Sequence, residues 1–121
     1  MVAIERAFGG MSVRDVPEAV RFWRETIGLQ VDDGDIARVH LPGGGTVILY
    51  PKADHEPAGF TVLNLVVADV GRAVQELAAA GLQPQRYPGM PQDDDGAMRG
   101  RGPDIAWFTD PSGNVFSVLT D

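Results

Sequence analysis

Apolar positions along this chain follow first a two-residue and then a helical rhythm. Residues 6–13 alternate weakly and are rich in Gly, as suits a strand that bends or is closely approached. Val16, Ala19, Val20, Trp23 and Ile27 then fall at helical spacing, with Phe22 widening the stripe. Asp15 is placed to cap that helix. Pro17 and Glu18 suit its first turn, and Gly28 suits its end. Two-residue periodicity returns over 30–32, 36–41 and 46–50, separated by Asp33-Gly34 and Pro42-Gly43-Gly44-Gly45 and closed by Pro51. The prediction is a β-α-β-β-β unit.

The same order then recurs. A strongly apolar strand is expected over 60–67, and Asp69 caps a helix whose face carries Val70, Ala73, Val74 and Leu77. Gly81 ends that helix, and strands are expected over 83–87, 104–109 and 114–119. Asp110-Pro111-Ser112-Gly113 marks the last turn. The repetition is literal in places. Asp15-Val16 with Ala19-Val20 reappears 54 residues later as Asp69-Val70 with Ala73-Val74, and Gly28-Leu29-Gln30 reappears as Gly81-Leu82-Gln83. Gly45-Thr46-Val47 is echoed by Gly113-Asn114-Val115. Such self-similarity is the mark of one structural unit used twice. The expectation is a single α+β domain, 1–121, built of two tandem βαβββ modules, about 4–52 and about 60–121, with a linker over 53–59. Its sheets curve around a shared cleft and its helices lie outside. Residues 88–102 form a polar loop long enough to be either mobile or functional.

Composition narrows the function classes. Ten Lys and Arg against 17 Asp and Glu leave a formal charge of −7, which argues against nucleic acid. With no Cys, disulfides and thiolate metal sites are out. The first ten residues hold no apolar core of a secretory leader, and no stretch approaches a membrane span. A cytoplasmic protein is expected.

Phe22-Trp23 followed by Gly28-Leu29, the closing Asp110-Pro111-Ser112-Gly113-Asn114 and the paired modules together resemble the vicinal oxygen chelate superfamily. That superfamily includes glyoxalases, bleomycin-resistance proteins, extradiol dioxygenases and fosfomycin-resistance enzymes. The resemblance implies a homodimer. It also implies four metal-ligand positions, which fall here on Phe8, Val62, Leu49 and Ser117. Divalent metals in such sites need imidazole or carboxylate donors, and this set has none. No metal and no cofactor are therefore expected.

The residues expected to line the cleft instead are Phe8, Leu49, Val62 and Trp107, with Ser12, Asn64 and Ser117 supplying polar contacts. The aromatics read equally as core. His40 is either a pocket hydrogen-bond partner, a general base, or an ordinary half-exposed strand residue. Arg99 and Arg101 either clamp an anionic group or offset Asp93-Asp94-Asp95 beside them. The leading expectation is a metal-independent protein that binds a small organic molecule and sequesters it, as a bleomycin-resistance protein does an aromatic antibiotic or secondary metabolite. The alternatives are a glyoxalase- or dioxygenase-like metalloenzyme and a metal-free isomerase or lyase using His40.

Overall fold

The structure, a computed structural model, describes residues 1–121. It forms two compact units, 1–57 and 58–121, dividing the chain inside the segment expected to be the linker.

In the first unit β1 (Gly9–Val13) is followed by α1 (Val16–Arg21), which continues through a π-helical turn, Phe22–Thr26. Asp15 caps α1 by accepting a hydrogen bond from Glu18 N at 2.9 Å. β2 (Gln30–Asp32), β3 (Ala37–His40) and β4 (Thr46–Pro51) complete a sheet of order β1-β4-β3-β2. β1 and β4 run parallel and the other neighbours antiparallel. The register sorts the sheet into two faces. Met11, Val13, Val31, Ala37, Val39, Val47 and Leu49 are all buried and share the face on which α1 packs. Gly10, Ser12, Ile48, Tyr50, Arg38, His40 and Asp32 alternate with them onto the opposite, open face.

The second unit repeats the plan with β5 (Thr61–Val66), α2 (Val70–Ala79), β6 (Ile105–Thr109) and β7 (Val115–Leu119), in the order β5-β7-β6. Asp69 caps α2 at Arg72 N, as Asp15 caps α1. Gly28 and Gly81, the helix stops of the two units, both sit at φ +90°, a left-handed conformation open to Gly without a Cβ clash. Phe108 and Phe116 stack in the core, with ring centroids 5.8 Å apart.

Two sequence expectations change here. The strand expected over 83–87 is not a ladder. Its one backbone bond to β6 is Gln85 N–H to Trp107 O at 2.7 Å, and Pro84 has no N–H to give. The long loop after it is bound internally. The Gln92 side chain accepts from Tyr87 N and donates to Gln85 O and Gly96 O. Arg86 donates to Asp93 O and Asp94 O. Gly96 lies against Pro84 so closely that an added Cβ would meet the ring at 2.6 Å.

Candidate functional site

The open face of the second sheet carries the most organised group of residues. In one row, Asn64 on β5 stands beside Ser117 on β7, which stands beside Trp107 on β6. Ser117 is fully buried and its hydroxyl donates to Asn64 Oδ1 at 2.6 Å. That bond occupies the amide carbonyl and leaves the Asn64 NH₂ group as a donor. Trp107 points into a pocket of about 260 Å³ whose other walls are Gly59, Phe60, Thr61, Tyr87, Met90 and Val115. Tyr87 meets Trp107 edge to face, with centroids 5.6 Å apart and planes at 81°. Phe60 is 70% exposed and Met90 39%, so a large apolar surface faces solvent around the indole. Phe108, the next residue along β6, is buried on the helix face.

Val62 does not belong to this row. Thr61 pairs with Val115 and Leu63 with Phe116, so Val62 is an extra residue in a β-bulge and has no partner across the ladder. Thr61 lines the pocket in its place. The expectation for Val62 came from the ligand position that the resemblance implies, and the bulge takes that position out of the row. Leu49 also has to be moved. It is 0% exposed and shares the helix-side face with Met11, its partner on β1. Ile48 and Tyr50 take the open-face positions on β4. Ser117 fills its expected position beside Asn64, but as a buried hydrogen-bonding group.

The remaining candidates lie elsewhere. Phe8 precedes β1 and is 47% exposed, with the guanidinium carbons of Arg6 and Arg38 at 5.5 and 4.9 Å from its ring centroid. The Ser12 hydroxyl lies 2.7 Å from His55 Nδ1, a pairing across 43 residues that spacing did not suggest. His55 is held in a turn by its own N–H bond to Lys52 O and by the Lys52–Asp54 ion pair. His40 Nε2 lies 2.7 Å from Asp32 Oδ2, an exposed pair on the open face of the first sheet. Arg101 is exposed and is not among the pocket walls. Its neighbour Arg99 bonds Asp93 and Asp104 at 2.7 and 3.0 Å and approaches Asp95 at 3.6 Å, so two of the three acids in the run share an arginine of their own loop. The Arg99 hydrogen bond holds the Asp93 carboxyl below its ordinary value of 3.8, aided by backbone bonds from Ala97 and Asp95.

Residues 7–118 match the glyoxalase/bleomycin resistance protein/dioxygenase superfamily. The chain belongs to this superfamily. Solved structures agree on the fold. A hypothetical protein of S. aureus is 19% identical, with a TM-score of 0.72 over 99% of this chain and 96% of that one. A virulence protein from Salmonella typhimurium is 18% identical, with a TM-score of 0.67 over 98% of each chain. A glyoxalase/dioxygenase from Nostoc punctiforme is 15% identical, with a TM-score of 0.67 over 93% of this chain and 87% of that one. No curated protein matches the sequence.

The superfamily's metal chemistry can be tested against the donors present. No three His, Asp or Glu side chains converge to hold a metal ion. The implied ligand positions carry two side chains without donor atoms on the helix face or in the bulge, a phenyl ring flanked by cations, and a hydroxyl committed to Asn64. This donor set does not fit a divalent metal.

Proposed function

We propose that this superfamily member binds a small planar organic molecule against Trp107, without a metal, and holds it unchanged. The observation that carries the reading is the Trp107–Tyr87 pair set between Phe60 and Met90, with Asn64 oriented by Ser117 in the same row. Flat apolar walls with a few fixed polar groups are the usual make-up of a ligand pocket. A volume of about 260 Å³ suits a compact ring system, such as an aromatic drug or secondary metabolite, better than a large one. Affinity would come from stacking and buried apolar area, with Thr61 and Tyr87 supplying the hydroxyls among the pocket walls.

Calorimetric titration with a panel of aromatic drugs and metabolites tests this. Dissociation constants below about 1 mM, lost in Trp107→Ala, are the expected result. A panel without any such binder sinks the reading. Elemental analysis of protein purified without chelators is the second check, since stoichiometric Zn, Ni, Fe or Mn would favour a metalloenzyme. The resemblance also leads us to propose a homodimer in the cytoplasm. Light scattering should then give twice the chain mass. No helix is long and apolar enough to cross a membrane.

A second reading has one observation behind it. Asp32 fixes the His40 ring through Nε2, the arrangement that orients a general base and leaves Nδ1 for a substrate proton. A metal-free isomerase or lyase would lose turnover in His40→Ala, and unchanged turnover of a cognate substrate would dispose of it.

A further inference from the structure

The open face of the first sheet gathers two cations on one ring. Of the chain's ten basic side chains, Arg14, Lys52, Arg72 and Arg99 pair with a carboxylate. Among the six that do not, Arg6 and Arg38 converge on one phenyl ring, that of Phe8. Arg38 is part-buried, and its Nη1 donates to Thr46 Oγ1 at 3.0 Å. Its Nε and Nη2 donors have no acceptor in the chain. The acid standing opposite Arg38 in the ladder is Asp32, and its carboxylate is turned to His40 at 2.7 Å.

We propose that this face is a second ligand site, one that takes the carboxylate of a small aromatic acid. Thr46 holds one arm of the Arg38 guanidinium, which fixes the plane of the fork. The unfilled Nε and Nη2 edge matches the two oxygens of a carboxylate. Arg6 adds a second positive charge at the same ring, and Phe8 gives the organic part of the ligand a face to lie against. The side chains alternating with these along β3 and β4, Val39 and Val47, are buried on the helix side, so the strand backbones keep Arg38 and Thr46 on the open face. Two cations on one ring, with the carboxylate opposite Arg38 in the ladder drawn to a histidine, leave a guanidinium edge that an anion fills. The residues of this site all belong to the first unit, and none lines the Trp107 pocket.

The test compares 2-naphthoate with its neutral twin, 2-naphthamide, by amide-detected NMR titration at low salt. The acid should shift Phe8, Arg38 and Thr46 and bind about tenfold more tightly than the amide, an advantage that added salt erodes. Arg38→Gln should erase that advantage. Arg38→Lys should keep only part of it, because an ammonium lacks the planar fork. If Arg38→Gln does not fold, Arg6→Gln in the exposed N-terminal segment reads the same charge, with a loss of about threefold expected. Equal affinity for acid and amide overturns the proposal, as does a full acid preference in both arginine variants. Shifts confined to Trp107, Tyr87 and Met90 overturn it while leaving the Trp107 pocket standing. Shifts at Arg38 with none at Trp107 support it and count against that pocket.

Discussion

The last turn of each half shows how one backbone plan is stabilised in two ways. In the first unit Leu41 N–H bonds Gly45 O and Gly44 N–H bonds Leu41 O, both at 3.1 Å. In the second, Asp110 N–H bonds Asn114 O and Gly113 N–H bonds Asp110 O, at 2.9 and 3.0 Å. The geometry is shared, but the means differ. Gly43, Gly44 and Gly45 all adopt positive φ and contribute no side chain. Asp110 is buried and its Oδ1 accepts from Ser112 N and Asn114 N at 2.9 and 2.8 Å. The faces differ in the same spirit. The first sheet turns Arg38, His40 and Asp32 outward, while the second turns out Trp107 and the pocket around it. Duplication has kept the scaffold and let the exposed chemistry of the two halves diverge.

Matched substitutions put this comparison under strain. The largest effect belongs to the cores. Phe108→Ala should cost about 3–5 kcal/mol and Leu49→Ala about 2–5 kcal/mol in urea denaturation, since both side chains are fully enclosed. A cost near zero at Leu49 would return it to the open face. Next comes the braced turn. Asp110→Ala strands two buried N–H groups and should cost about 2–3 kcal/mol. Gly44→Ala, strained by its φ of +107° and not by lost bonds, should cost about 1 kcal/mol. Equal losses at the two turns would show that the Asp110 brace adds nothing. The helix caps should behave alike, with Asp15→Ala and Asp69→Ala each costing about 1 kcal/mol. The smallest effect is that of acid on the loop. Asp93 has a folded pKa held below its ordinary 3.8, so its contribution is complete above that value and is lost as pH falls through the lowered one. Amide exchange at Ala97 and Asp95 should therefore quicken in strong acid, with the Arg99→Gln variant quickening at a higher pH. The exposure of the pair keeps this effect small.

The parts of this molecule that were legible in its sequence are those governed by neighbours in the chain. Asp15 and Asp69 act on residues three positions away, and Gly28 and Gly81 act on the turn just before them. Cross-strand relations were not legible. Val47, Ile48 and Leu49 are all apolar, so their order leaves the inward face undecided, and the pairing of Met11 with Leu49 decides it. The bulge at Val62 exists only relative to β7, and a count along one strand passes straight through it. Tyr87 reached the pocket unannounced because it follows a stretch where Pro84 stops a ladder from forming. Ser12 and His55 meet because a turn over 52–55 brings the histidine back to β1. Trp107 was the exception: alternation with Phe108 alone required that one of the two leave the core.

The loop after α2 also bears on how copies of this chain avoid one another. β6 is the last strand of its sheet, and a bare strand margin invites a foreign chain to add itself there. Here Met98 occupies that margin through reciprocal bonds with Ile105, at 2.8 and 3.1 Å, and Gln85 takes the carbonyl of Trp107. The loop thus works as a selvedge, closing that one margin of the weave to a foreign strand.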